Sequence, residues 1–168
     1  MDEPARATYL RRVSMSPSQA AQAAQASQAS HPSPTVLVSA AVLVEAGRVL
    51  VSQRKKGAHL EHLWEFPGGK VEPGEDPREA LRRELVEELG VEADIGDVVE
   101  VTFHRYEEAG KAVLLLFFDA TRRPGSPEPE ARDVADFAWA DLAMLASARF
   151  PPADVPVLEK VRARLAGR

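Results

Sequence analysis

The segment Asp76–Gly90 limits the fold more than any other, because it carries a full set of helix boundaries around an apolar stripe. Asp76 is a good N-cap, Pro77 suits the first helical position, Glu79 falls where a capping box would place it, and Gly90 is a natural stop. This punctuation predicts a helix over Pro77–Leu89. Leu81, Leu85 and Leu89 form one stripe at helical spacing, so the helix must lie on something apolar. Beside that stripe, Glu84, Glu87 and Glu88 fall within an arc of roughly 100°. Like charges so crowded destabilise a helix. They are either a solvated acidic face or half of a site whose other half is a cation. Oxygen ligands without sulfur or imidazole suit a hard ion, Mg²⁺ first and Mn²⁺ as a substitute.

The rest of the chain supplies the surface on which such a helix can rest. "TVLVSAAVLVEAGRVLVSQR" reads as two strands joined at Glu45–Gly47, and "KVE" as a short strand before the turn at Pro73-Gly74. "VEADIGDVVEVTFHRYE" and "KAVLLLFFDATR" are two further strands, the second apolar on both faces as in a covered central strand. "VADFAWADL" is a last strand running into a helical turn, and "PPADVPVLEKVRARLAG" an amphipathic C-terminal helix. Strands and helices in this order indicate an α/β sandwich with a mixed sheet. Residues 1–34, by contrast, include a low-complexity Ala/Gln/Ser tract with no large apolar residue to dock it, and are expected to be a disordered tail ahead of a domain over 35–168.

With 28% charged residues and a net charge of -5, the chain has the composition of a globular protein and no polybasic surface for a nucleic-acid polymer or a membrane. It contains no cysteine, which removes disulfides, thiolate metal sites and cysteine nucleophiles together. The longest apolar run, Thr35–Val44, is too short to span a bilayer, and no signal peptide is expected. A cytoplasmic protein, monomeric or homodimeric, fits these features.

The stretch "GKVEPGEDPREALRRELVEELGV" matches the Nudix box, G-x5-E-x7-R-E-U-x-E-E-x-G-U with U aliphatic, at Gly69, Glu75, Arg83, Glu84, Leu85, Glu87, Glu88, Gly90 and Val91. The chain thus resembles the Nudix hydrolases. That resemblance implies an α/β/α sandwich and hydrolysis of nucleoside diphosphates linked to another moiety. It also implies metal binding by Glu84, Glu87 and Glu88 with the Gly69 carbonyl, orientation of these carboxylates by Arg83, and support of the loop by Glu75. Glu87 or Glu88 is the expected acceptor of the water proton.

The wider segment "LVSQRKKGAHLEHLWEFPGGKVEPGE" resembles the MutT-type nucleoside triphosphate pyrophosphohydrolases. By that resemblance Arg54 contacts substrate phosphates and Phe66 helps to line the nucleotide pocket, although Phe66 and Trp64 serve a core equally well. "FPPADVPVLEK" resembles the MutT-type segment in which Asn or Asp meets the base; here the residue is Asp154, for which capping the last helix is the structural alternative. An ionised Asp only accepts hydrogen bonds, which keeps cytosine and oxidised guanine nucleotides both in play. Asp133, with Glu128 and Glu130 nearby, is the candidate for a further metal-linked carboxylate. The implied activity is Mg²⁺-dependent cleavage of small nucleotide substrates such as 8-oxo-dGTP or (d)CTP to the monophosphate and pyrophosphate. Another Nudix specificity (ADP-ribose, dinucleoside polyphosphates, capped RNA) or a non-catalytic binding module are the alternatives.

Overall fold

The structure, a computed structural model, describes residues 35–167; the stretch 1–34, expected to be a tail, lies outside the described residues. Strands β1 (Thr35–Glu45) and β2 (Arg48–Gln53) form a hairpin whose turn places Ala46 and Gly47 at φ 46° and 73°. They are followed by β3 (Trp64–Glu65), β4 (Gly68–Lys70), α1 (Pro77–Leu89), β5 (Ala93–Tyr106), β6 (Lys111–Arg122), β7 (Asp136–Ala140), α2 (Leu142–Ser147) and α3 (Val155–Leu165).

The sheet is mixed, as the alternation of elements demanded. β1 runs parallel to β6, from Thr35 opposite Ala112 to Leu43 opposite Ala120. On its other side β1 is antiparallel to β4, with Ser39 opposite Gly69 and Ala40 opposite Gly68. β5 closes the far edge beside β6, interrupted by irregularities between Ile95 and Glu100, while β7 and β3 flank β2.

Strand alternation divides the core in two. Ala41, Leu43 and Phe118 pack with Leu81, Leu85 and Leu89 under α1. Ala40, Val42 and Phe117, one residue out of phase, pack with Val157, Leu158 and Val161 of α3. Central strands covered on both faces bear apolar residues at successive positions, which explains the unbroken run in β6. Among the described residues no helix is long and apolar enough to cross a membrane.

Helix α1 has the bounds its punctuation indicated. The Asp76 side chain accepts from the Arg78 N–H at 2.8 Å, and Gly90, at φ 69°, turns its N–H back to Val86 O at 3.0 Å. Two local expectations are corrected. Glu79 does not close a capping box; its carboxylate pairs with Arg82 one turn on. The short strand lies at Gly68–Lys70, not Lys70–Glu72. Gly68 has φ 149°, and a Cβ there would lie 2.1 Å from Ser39 O. Only glycine lets the chain approach β1 this closely, and that approach decides which residues pair.

Candidate active site

The box residues form a network centred on Arg83. Its guanidinium donates to both oxygens of Glu75 at 3.0 Å, to Glu84 Oε1 at 2.7 Å, to Glu87 Oε2 at 3.3 Å and to Lys70 O at 3.1 Å. These bonds, with the Glu72 backbone N–H, hold the Glu75 carboxyl below its usual range. The Arg83 guanidinium is in turn held charged by Glu75 and Glu84. The helix spacing thus brings Glu84 and Glu87 to one cation, while the preceding loop wraps back to it through Glu75 and Lys70.

Glu88 turns the other way. Its Oε2 accepts from the Gly68 N–H at 3.2 Å, and burial, followed by the nearby Glu65, pushes its pKa up to about 8. Gly69 stands between the two groups: a Cβ there would lie 2.3 Å from the Glu84 carboxyl carbon, so the carboxylate occupies space that any side chain would fill. Among the described residues no three acidic or imidazole side chains converge into a ready cage. The donor set still suits a hard divalent cation, because it consists of carboxylate oxygens with a backbone carbonyl alongside and a side-chain-free cradle at Gly69.

A cavity of about 280 Å³ opens from this point across the sheet. At one end are Glu88, Gly68, Gly69 and Asp133; Arg54, Lys55, Lys70 and Lys111 also line it, and it reaches Phe66, Phe117 and Asp154. The structure thereby brings together Gly69, Glu88, Asp133, Arg54, Phe66 and Asp154 from five separate stretches of chain. Glu75, Arg83, Glu84 and Glu87 stand next to the cavity, outside its lining.

Each of the outlying residues differs in detail from its expected setting. Arg54 lies just past β2, not within it, and its Nε donates to His59 O at 2.6 Å while Nη1 pairs with Glu65. Phe66 fills both roles considered for it: it is buried against Phe117 at 5.7 Å, edge to face, and still borders the cavity. Asp133 pairs with Lys55, and its backbone N–H is tied to Glu88 O at 3.2 Å, which fixes its loop at the end of α1. Asp154 makes no side-chain cap to α3. It is buried, and burial, then the Glu65 charge, pushes its pKa up to about 8 against the Phe66 backbone N–H and Arg54, which lower it. A carboxyl raised in this way holds its proton to higher pH than a free aspartate, and in its protonated form it donates as well as accepts.

Sequence reading missed the group that links these parts. Glu65 carries a carboxyl that burial raises and Arg54 lowers, and it acts on both Glu88 and Asp154. Its signal was its place between Trp64 and Phe66 in "WEFPGGK". Lys111, whose pKa burial and then Lys70 and Arg54 lower, had no such signal, since only the pairing of β6 with β1 brings it to the cavity.

Comparison with known proteins follows the same lines. The NUDIX domain family matches residues 34–161. The chain belongs to the Nudix hydrolase family. Relatives of this Nudix protein include the CTP pyrophosphohydrolase of Escherichia coli (strain K12), 37% identical over 131 residues, which cover 78% of this chain and 94% of that protein. The 8-oxo-dGTP diphosphatase of the same organism is 34% identical over 118 residues, covering 70% and 88%. A crystal structure of a MutT NUDIX hydrolase from Burkholderia pseudomallei superimposes with TM-score 0.67 at 27% identity, covering 76% of this chain and 98% of that one. The α/β sandwich and the family read from the box are therefore borne out, and with them the hydrolase class.

Proposed function

We propose that this Nudix hydrolase cleaves nucleoside triphosphates to the monophosphate and pyrophosphate with Mg²⁺, for which Mn²⁺ substitutes, and that it serves to clear altered nucleotides from the pool. Oxidised guanine nucleotides such as 8-oxo-dGTP and cytosine nucleotides are the favoured substrates; relatives bearing each activity in their names support both. The observation that carries this reading is the lining of one cavity, which combines carboxylates and a glycine loop, four cationic side chains, and a buried carboxyl with the aromatic rings of Phe66 and Phe117.

Residue roles follow from that layout. Glu84, Glu87 and Glu88, with the Gly69 carbonyl and Asp133, would hold the metal, which when bound neutralises phosphoryl charge and makes water a stronger nucleophile. Arg83 fixes Glu84 and Glu87, and Glu75 fixes Arg83. Arg54, Lys70 and Lys111 face the polyphosphate as counter-charges. Glu88 is the proton acceptor for the attacking water, because it lines the cavity whereas Glu87 is drawn out to Arg83. Asp154 reads the base. In its protonated form it matches the O6 and N1–H pair of guanine or the N3 and N4–H pair of cytosine with one donor and one acceptor.

The test is a panel of canonical and oxidised nucleoside triphosphates, ADP-ribose and dinucleoside polyphosphates with Mg²⁺, with products identified by chromatography. Monophosphate and pyrophosphate from the guanine or cytosine members are expected. Turnover of ADP-ribose or dinucleoside polyphosphates alone would overturn the proposal.

A further inference from the structure

Ser39 is a polar residue of β1 that neither the core nor the site described above explains. It is fully buried, and its Oγ has no hydrogen-bond partner among the described residues. An unpaired buried hydroxyl costs stability. For packing under a helix alanine serves better, and alanine is what β1 carries two residues later at Ala41.

The register of the sheet fixes what surrounds it. Ser39 stands opposite Gly69 on β4 and opposite Leu116 on β6. Residues directly opposite one another on antiparallel strands project from the same face, with Cβ atoms about 4.5–5.5 Å apart. That face is the one under α1, because Ala41 packs with Leu81 and Leu85, and Leu116 joins the same cluster. A side chain at Gly69 would run straight into α1: its Cβ would lie 2.3 Å from the Glu84 carboxyl carbon and 2.5 Å from each of the two oxygens. The Glu84 carboxylate therefore lies over Gly69, beside the Ser39 side chain. With Arg83 donating to its Oε1 at 2.7 Å, it leaves the serine unbonded.

We infer that Ser39 is a positioning residue for the metal site, its hydroxyl donating to the Glu84 carboxylate when that carboxylate binds the cation. The inference rests on the reading of Glu84 as a metal ligand and deepens it. An ionised carboxylate has acceptor sites for a cation and for more than one donor, and a ligand held by a fixed donor loses less freedom on binding. The cost of the unpaired hydroxyl falls on the metal-free protein and is removed on loading.

Titration of Mn²⁺ alone into the full chain by calorimetry tests this, with denaturant titration in chelator as the companion measurement. Ser39→Ala is expected to weaken Mn²⁺ binding about tenfold or more, the range for a group that orients a metal ligand. Its stability in chelator is expected to equal or exceed that of the native protein, since an unpaired buried hydroxyl is gone. Those opposite signs separate a positioning role from a packing one. Ser39→Cys, close in size but a weak donor, is expected to weaken binding as alanine does. Unchanged affinity in Ser39→Ala, native affinity in Ser39→Cys, or a fall in the stability of Ser39→Ala in chelator would overturn the inference. If Glu84→Gln weakens Mn²⁺ binding alongside such a result, the metal reading stands. If Glu84→Gln leaves binding unchanged, or the native protein takes up no Mn²⁺, that reading falls and the role of Ser39 falls with it.

Discussion

The two ends of the cavity are built in opposite ways. At the carboxylate end, Glu75, Arg83, Glu84 and Glu87 come from one loop and one helix, and their bonds run between neighbours in sequence at partly exposed positions. At the Asp154 end, Glu65, Phe66 and Asp154 come from β3, the loop after it and the turn before α3. There the carboxyls of Glu65 and Asp154 are raised by burial. A site for a metal and phosphates uses chemistry common to every nucleotide, so a short rigid motif suffices. A site for a base needs a shaped, desolvated wall, which separate segments must assemble. Glu88 belongs to both: it is carried by the helix motif, yet its carboxyl is raised by burial first and then by Glu65.

Four experiments sharpen this contrast, ordered by the size of effect. Glu88→Gln, which keeps an acceptor for the Gly68 N–H but removes the proton acceptor, should lower kcat roughly 10²- to 10⁴-fold with the fold retained. Near-native turnover would falsify its role and move it to Glu87.

The adjacent glycines should separate stability from activity. In Gly68→Ala the new methyl meets backbone at 2.1 Å at φ 149°, so stability should fall by roughly 2–4 kcal/mol in denaturant titration. In Gly69→Ala the nearest atoms it meets are the side-chain carboxylate of Glu84, so stability should fall less while turnover drops as Glu84 is displaced. Equal stability losses in the two variants would remove the distinction.

Asp154→Asn tests the buried end through pH. Its folded pKa is raised from 3.8 to about 8, so the folded state keeps a proton that the unfolded chain has released. Below pH 4 both states are protonated and no penalty exists; between about pH 4 and 8 stability falls as pH rises, by up to about 1.4 kcal/mol per pH unit for one group. Asp154→Asn should flatten this fall, leaving the shares due to Glu88 and Glu65, which have the same sign. Denaturation at pH 5 and 7.5 measures it, and an unchanged slope would show that Asp154 is ionised in the fold. The variant should also reorder base preference more than it lowers rate.

The smallest effect belongs to the helix start. Asp76→Ala should cost about 1 kcal/mol, since it removes the bond to Arg78 N–H. Glu79→Ala should change stability by less than about 0.5 kcal/mol, because Glu79 caps nothing. A loss at Glu79 equal to that at Asp76 would restore the capping box.

Legibility in the sequence followed the same division. Helix α1, its bounds and the gathering of Glu84, Glu87 and Arg83 were readable, because spacing along one helix sets distances directly. The shift of β4 was not, because it depends on how closely Gly68 lets one backbone approach another. Asp154 was read as a candidate for the base but as an ionised one. Nothing in "PPADVP" shows that the residue is buried, or that Glu65, from a segment nearly ninety residues earlier, stands close enough to help raise its carboxyl.

By itself the sequence determined the family, the α/β class and the gathering of box carboxylates proposed to hold the metal, since these depend on residue identity at short range. The tertiary structure decided the rest: which carboxylate faces the cavity, which cations line it, and the burial that raises the Asp154 carboxyl. These depend on burial and on charges brought together by the pairing of β2 with β3 for Glu65 and of β1 with β6 for Lys111, and desolvation is a property of what surrounds a group, not of its place in the chain.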